Sequence, residues 1–239
     1  MQSGKELKEV AIADCVHFCG FRYGRNEYHP YETYVRRLHR GEPLNEIRAE
    51  FVDFLEHYRP RHFGEALGIA LSRNYPMWAY PWLRIRTFIR PFFTRGWVRK
   101  PRRIPDIITH FSEAGIPRAL LNSEFTWLEG AYRAISQSGY QPEKFGYPQA
   151  MALEKSDGAR AYLILDGNHR ISSLAALGYD RVRVQYVPGD MAVQARARTW
   201  LGVRTGIYSE PDAIRILESY FRAHTSYRTH EGPVPPIVD

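Results

Sequence analysis

The segment 161–187 constrains the fold more than any other part of the chain. It opens with a short apolar run, 161–165, passes through the polar or glycine residues 166–170, and continues with apolar residues at helical spacing over 171–177. Gly178 ends that pattern, and apolar and polar residues alternate over 182–187. The sequence therefore predicts a buried strand, a loop, a helix and a second strand, in that order.

The residues just before this segment also predict alternating helix and strand. Ser123 and Glu124 are expected to open a helix that runs to about 136, and 147–153 is expected to form a strand. Asp157-Gly158 marks a turn into the next strand. Upstream, apolar residues at helical spacing predict a helical pair over 32–58, divided by Gly41-Glu42-Pro43, and a further helix over about 63–71. The first third of the chain is thus expected to be all-α.

These patterns predict an α+β fold in which a small mixed sheet with helices follows a mostly helical N-terminal region. We expect three parts: 1–103, then a sheet-containing domain over 104–190, then 191–239 with a loop, a helix over about 211–224 and an irregular tail. At 239 residues, 44% of them hydrophobic, the chain has ample material for a packed core.

A basic and aromatic segment, 78–103, which we call the basic arm, stands out by composition. Its part 84–103 holds eight Lys or Arg residues and neither Asp nor Glu, interleaved with large aromatic residues. Three interpretations remain open: aromatic side chains packed on the body with solvated arginines, attachment to an anionic membrane surface, or binding of single-stranded nucleic acid. The formal net charge of +7 likewise favours anionic partners.

Two other features bear on location and chemistry. The start of the chain, 1–9, is polar and charged, so no secretory signal is indicated and a cytoplasmic location is expected, with peripheral attachment at the inner face of the membrane as an option through the basic arm. The chain's two cysteines, Cys15 and Cys19, exclude a disulfide scaffold. They are expected to be small buried residues on one helical turn, with a redox or metal role as the alternative.

The loop between the strand and the helix carries the candidate site. Gly167 allows a ligand to approach the backbone, and the helix start offers amide groups and a partial positive charge to a phosphate. Asn168, His169, Arg170 and Ser172 add donors for phosphate oxygens, and Asp166 could hold a phosphate-bound Mg²⁺ or take a proton from a hydroxyl. Each residue also has a structural explanation, such as helix capping or a surface ion pair. Together they favour a ligand-binding loop.

The residues 162–187, YLILDGNHRISSLAALGYDRVRVQYV, resemble the signature of the ParB/sulfiredoxin superfamily, in which a strand ends in a D-G-x-H-R type loop and "LG" leads from a short helix into the next strand. The resemblance spans roughly 116–188. It implies a nucleotide-binding domain with a ParB/sulfiredoxin-like mixed sheet. Asn168 stands where sulfiredoxins have a reactive cysteine, and no helix-turn-helix is apparent after the loop, so the loop is most similar to the small-molecule kinase branch.

The kinase resemblance implies ATP and Mg²⁺ as cofactors, with residues 167–170 around the phosphates and Asp166 at the metal or the acceptor. It also implies a glutamate at the start of the first helix as the general base. By order along the chain this is Glu124, with Glu129 as the fallback. An acidic residue in the first turn of a helix also has a structural reason to be there.

The leading hypothesis is an ATP-dependent phosphotransferase acting on a hydroxyl of a small molecule, a sugar or a lipid-linked glycan. One alternative is a CTP-gated, ParB-like DNA-binding protein. DNA is less favoured as a partner than a nucleotide with a hydroxyl-bearing acceptor. The other is a noncatalytic nucleotide-binding regulatory module. The same loop would bind the nucleotide in all three hypotheses, so the site residues alone do not distinguish between them.

Overall fold

A computed structural model describes residues 6–24, 27–76, 80–82, 116–186 and 191–222. It begins with strand β1 (Glu6–Ala11), a 3₁₀ turn (Ile12–Asp14) and the short strand β2 (Cys15–Val16). Helices α1 (Pro30–His39), α2 (Leu44–His57) and α3 (Phe63–Leu67) follow. The basic arm lies outside the described residues except for 80–82.

The second half alternates helix and strand. It comprises α4 (Arg118–Ser138), α5 (Pro142–Phe145), β3 (Gln149–Glu154), β4 (Arg160–Asp166), α6 (Asn168–Ala176), β5 (Arg181–Tyr186) and β6 (Ala192–Val193). A 3₁₀ segment (Gln194–Thr199) and helices α7 (Leu201–Arg204) and α8 (Glu210–Ser219) complete it. The α+β class predicted from the sequence is confirmed.

The strands form one mixed sheet in the order β1-β5-β3-β4-β2, with β6 paired to the far end of β3. β1 runs antiparallel to β5, β3 antiparallel to β4, and β2 parallel to β4. The N-terminal segment therefore contributes a strand at each edge of this sheet. The expectation of an all-α first third was wrong, because β1 and β2 belong to the same sheet as the predicted strands.

Three apolar clusters make up the core. One joins α1 and α2 to α4, one lies between the sheet and α6, and one joins α3 to the C-terminal helices. Helix α6, which follows the candidate loop, packs against both α1 and α4. The loop is thus enclosed by an element from the N-terminal region and by the helix that carries Glu124.

The cysteines are buried as predicted, but not on a helical turn. Cys15 lies in β2 and Cys19 in the turn after it, where its amide donates to Nδ1 of His17. Burial raises the pKa of the Cys15 thiol well above its ordinary value, which disfavours the reactive thiolate.

Residues 80–82 of the basic arm pack against the C-terminal part of the described structure. Trp82 is buried, with its ring edge-to-face to that of Trp200 at 5.3 Å, and the carbonyl of Pro81 accepts a hydrogen bond from the amide of Gly202. The packing interpretation thus holds for this residue. No helix among the described residues is both long and apolar enough to cross a membrane.

Candidate functional site

The candidate loop joins the end of β4 to the first turn of α6. Gly167 is the residue that caps α6, with φ 94° and ψ 21°, a left-handed conformation that favours glycine. A Cβ atom at this position would lie 2.9 Å from Cβ of Pro148, so packing also requires glycine here. Asn168, His169 and Arg170 form the first turn of the helix rather than a loop before it.

The N-cap residue of α6 is Gly167, which has no side chain, so Asn168, the next residue, is not the cap. Oδ1 of Asn168 instead accepts a 2.8 Å hydrogen bond from the hydroxyl of Tyr23. Asp166 lies at the end of β4, with 41% of its side chain exposed and one carboxylate oxygen 3.9 Å from Nη2 of Arg170. The contact with Tyr23 gives Asn168 a role other than capping.

Arg170 reaches from the loop to the turn that follows α5. Its Nη1 atom donates to the carbonyl of Phe145 at 3.2 Å and to the carbonyl of Gly146. Its Nη2 atom would be 3.0 Å from a Cβ on Gly167, so the guanidinium lies directly over the loop. The side chain is mostly buried, which makes it a fixed positive charge rather than a solvated surface arginine.

Glu124 and His169 meet in the structure. Oε1 of Glu124 lies 2.7 Å from Nε2 of His169 and accepts a 2.5 Å hydrogen bond from the hydroxyl of Tyr31. The Tyr31 ring is edge-on to the imidazole, with centroids 4.9 Å apart. A carboxylate, an imidazole and a phenol are thus assembled from α4, α6 and α1.

The predicted position of Glu124 at a helix start was wrong. Helix α4 begins at Arg118, so Glu124 lies in its second turn, where the first-turn explanation for an acidic residue does not apply. The side chain is only 1% exposed. A buried carboxylate requires partners, and here Tyr31 and His169 are among them.

Two other predicted roles find no geometric support. Ser172 is fully buried, and its hydroxyl contacts no hydrogen-bond partner among the residues that the structure describes, so a phosphate at the loop does not reach it. Glu129, the fallback base, is also buried and accepts hydrogen bonds from Tyr34, Arg48 and Arg133. It is part of a structural ion cluster away from the loop.

A groove of about 330 Å³ adjoins the loop. We call it the α4 groove, and among the described residues Arg170 is the charged side chain on its wall. Small residues of α4 form its floor, and aromatic side chains flank it. Its lining includes Trp127, Gly130, Ala131, Tyr140, Phe145 and Arg170.

Tyr140 gives the α4 groove a polar group. Its hydroxyl is buried without a hydrogen-bond partner in the described part of the chain. Burial raises the pKa of this phenol to about 12. Since a buried hydroxyl without a partner costs about 1–3 kcal/mol, a ligand with an acceptor atom would improve this arrangement.

Comparisons of the chain with known proteins add no relatives. No protein-family model matches it, and neither a curated protein nor a solved structure does.

Tyr23 and Tyr31 are the site residues that the sequence did not reveal. Each lies more than 90 positions before its partner, at separations of 145 and 93 residues. Their local sequence shows only an aromatic-rich stretch, and aromatic residues there predict core packing. Both are indeed buried, with their hydroxyl groups directed at the loop and at Glu124.

Proposed function

We propose that this protein binds ATP at the loop 166–170 and transfers the γ-phosphoryl group to a hydroxyl of a second substrate. The position of Arg170 is the observation that carries the proposal. Its guanidinium lies over the glycine loop and also on the wall of the α4 groove. A ligand with phosphates at the loop and a planar ring in the groove would contact it from both sides.

The loop suits phosphates for two reasons. The first turn of α6 offers amide groups and the positive end of the helix dipole. Arg170 adds a fixed positive charge over the loop, whereas Gly167 serves packing, because Pro148 and Arg170 occupy the space that a Cβ would take.

Asp166 fits a Mg²⁺ ion that is held mainly by nucleotide phosphates. Its carboxylate is accessible at the strand end, and Mg²⁺ is commonly bound through one or two carboxylates together with substrate phosphates. The described residues include no group of three or more His, Cys, Asp or Glu side chains that would hold a metal by itself. Magnesium would neutralise phosphate charge, while Asp166 would orient the phosphates relative to the loop.

The α4 groove suits the nucleobase. Its volume is at the lower end of the range for small-molecule sites, roughly 300–1,000 Å³. Gly130 and Ala131 allow a flat ring to approach the helix, and Trp127 and Phe145 offer aromatic surface for stacking. The hydroxyl of Tyr140 would donate to a ring nitrogen.

The acceptor class follows from the reaction and from the basic arm. A hydroxyl of a small molecule, a sugar or a lipid-linked glycan fits the phosphoryl transfer, and a lipid-linked acceptor would be met at a membrane surface. We propose a cytoplasmic protein that can attach to an anionic membrane through 83–103. Trp82 is not part of that surface, because it is buried against Trp200.

Calorimetric titration of ATP, ADP and CTP with Mg²⁺ tests nucleotide binding. We expect adenine nucleotides to bind the wild type, and Asp166→Ala and Arg170→Ala to weaken binding at least about tenfold, the order expected for loss of a charge-assisted hydrogen bond. Arg181→Ala is the matched control, since Arg181 is an exposed arginine paired with Glu9 at the edge strand. A preference for CTP would favour the ParB-like alternative, and absence of nucleotide binding would refute all three nucleotide-based hypotheses.

The base subsite has its own test. Gly130 is helical, and a Cβ there meets nothing within 4 Å, so Gly130→Phe fills the α4 groove without steric conflict in the helix. We expect it to abolish the difference in affinity between ATP and inorganic tripolyphosphate. Ser136→Phe, which places the same side chain at an exposed position of α4 outside the groove, should preserve that difference. ADP formation with candidate acceptors then separates a kinase from a regulatory module.

A further inference from the structure

We propose that His169 is the general base of the phosphoryl transfer, and that Glu124 and Tyr31 are positioning residues that act through it. The inference rests on the proposed function and assigns the proton transfer differently from the sequence-based expectation, in which Glu124 itself takes the proton. The His169 side chain is accessible to a substrate, whereas the Glu124 side chain is buried.

Glu124 cannot meet a substrate directly. Only 1% of its side chain is exposed, whereas 21% of the His169 side chain is exposed at the start of α6. Its Oε1 atom is already engaged by Tyr31 and His169. An acceptor hydroxyl arriving at the loop therefore contacts the imidazole before the carboxylate.

The proposal requires one tautomer of the imidazole. In it Glu124 is an ionised carboxylate that only accepts hydrogen bonds, and the Tyr31 hydroxyl and Nε2–H of His169 both donate to it. Neutral His169 then carries its proton on Nε2 and its basic lone pair on Nδ1. The edge-on Tyr31 ring, itself stacked on Phe51 at 5.7 Å, restricts rotation of the imidazole.

The proposed step combines one phosphoryl transfer with one proton transfer. The acceptor oxygen forms a bond to the γ-phosphorus of ATP, and the bond from that phosphorus to the β,γ-bridging oxygen breaks, with the electron pair leaving on ADP. The acceptor proton passes to Nδ1 of His169. The resulting imidazolium is stabilised by the adjacent Glu124 carboxylate, as in other histidine bases oriented by a buried acid.

The chain contains a natural control one turn along the same two helices. The hydroxyl of Tyr34 on α1 donates to Glu129 on α4 at 2.8 Å, just as Tyr31 donates to Glu124. Glu129, however, is neutralised by Arg48 and Arg133 and has no contact with His169 among those that the structure shows. Tyr34→Phe thus removes the same type of buried hydrogen bond without touching the proposed base.

Kinetics of Mg·ATP turnover, with water as the acceptor and ADP release as the signal, test the assignment. We expect His169→Gln and Glu124→Gln to lower kcat by about 100-fold or more, the usual size of a general-base contribution. Tyr31→Phe should lower it by about tenfold and Tyr34→Phe by less than about twofold, with KM for ATP changed little in all of them.

The pH dependence separates positioning from a merely structural role. The rate should fall at low pH as His169 becomes protonated. Glu124→Gln removes the nearby negative charge, so this limb should move to lower pH. Tyr31→Phe removes a donor from the carboxylate and leaves it more basic, so the limb should move to higher pH. If the rate fell at the same acidic pH in the wild type and in both variants, the proposal would be overturned.

A measurement without nucleotide keeps this inference distinct from the proposed function. Long-range ¹H–¹⁵N NMR of the wild-type protein should show His169 with its proton on Nε2, and its pKa should shift in opposite directions in Glu124→Gln and Tyr31→Phe. A proton on Nδ1 would overturn the assignment of the base even if ATP binds. Failure of ATP to bind in calorimetry, with the Nε2–H form present, would overturn the kinase and with it this role of His169, although the hydrogen bond between His169 and Glu124 would stand.

Discussion

The hydroxyl of Tyr23 donates to Oδ1 of Asn168, joining the N-terminal segment to the first turn of α6. Tyr31 makes the equivalent connection to Glu124 a few residues later. Both partners lie in the part of the chain that carries the predicted site. The N-terminal region is therefore part of the site's supporting structure rather than an appended domain.

A double-mutant cycle on Tyr23→Phe and Asn168→Ala should reveal this connection. We expect a coupling free energy of about 1 kcal/mol in urea unfolding, the typical value for one buried hydrogen bond. The cycle Tyr23→Phe with Ser136→Ala supplies the control, because Ser136 is exposed and lies on another helix. Strictly additive effects for Tyr23 and Asn168 would show that the bond contributes nothing to folding.

The sequence predicted the middle of the sheet well because local patterning determines those elements. The strand expected over 161–165 is β4 (Arg160–Asp166), and the one expected over 182–187 is β5 (Arg181–Tyr186). Both are short runs with buried apolar residues. The helix expected from 171 begins instead at Asn168, because polar residues occupy its first turn and carry no hydrophobic period.

Strand β1 could not be predicted in the same way. Only Val10 of its six residues is buried, so the segment shows neither an apolar run nor alternation. It forms a strand because its backbone pairs with β5, and Glu9 pairs with Arg181 across that edge. Tertiary pairing of this kind overrides local preference. The same holds for Tyr31 and Glu124, whose proximity depends on how α1 packs against α4.

The buried hydroxyl of Ser172 makes Ser172→Ala a stabilising substitution. The side chain lies in α6 against the core, and its oxygen has no hydrogen-bond partner among the described residues. Removing an unsatisfied buried hydroxyl, together with the higher helix propensity of alanine, should raise the free energy of unfolding by about 1 kcal/mol. Denaturant titration checks the stability, and unchanged nucleotide affinity would agree with the placement of Ser172 away from the phosphates. A loss of stability would point to an ordered water at this hydroxyl.

Gly167 and Gly158 allow backbone strain to be separated from steric conflict. Both have positive φ, 94° and 83°, but a Cβ on Gly167 would conflict with Pro148, whereas one on Gly158 would meet nothing within 4 Å. We expect Gly158→Ala to cost about 1 kcal/mol through the dihedral angle alone and Gly167→Ala to cost about 2–4 kcal/mol. Thermal unfolding of the two variants measures the difference. Similar losses would mean that Pro148 moves aside readily.

Asp212 should make the stability depend on pH. The residue is buried in α8, and its carboxylate accepts hydrogen bonds from the hydroxyl of Tyr75 at 2.7 Å and from the amide of Ser72 at 3.2 Å. Burial by itself raises the pKa of Asp212, but the hydrogen bonds from Ser72 and Tyr75 outweigh it and leave the pKa below its ordinary value of 3.8.

A pKa that is lower in the folded state means that the ionised carboxylate stabilises the fold. This contribution is fully present above the unfolded pKa and is lost as the pH falls through the folded pKa. Asp212→Asn should therefore cost about 1.5–3 kcal/mol near neutral pH, and the difference from wild type should shrink below about pH 4. Asp157→Asn is the exposed control and should change stability much less. A difference that does not vary between pH 7 and pH 3 would contradict this account.

Two tryptophans of the basic arm distinguish membrane attachment from core packing. Trp82 is buried between Trp200 and Tyr220, with ring centroids 5.3 Å and 6.2 Å away, whereas Trp97 belongs to the part of the arm outside the described residues. If the arm attaches to an anionic surface, Trp97→Ala should weaken binding to phosphatidylserine-containing liposomes, by up to about tenfold for loss of an interfacial aromatic. Trp82→Phe should instead lower the free energy of unfolding by about 1–2 kcal/mol and leave liposome binding unchanged, because its ring is not available to lipid.

Co-sedimentation with liposomes at low and high salt measures the effect on membrane binding, and denaturant unfolding measures the effect on stability. Wild-type protein that fails to bind such liposomes at low salt would remove the membrane from the proposal and leave a freely diffusing acceptor.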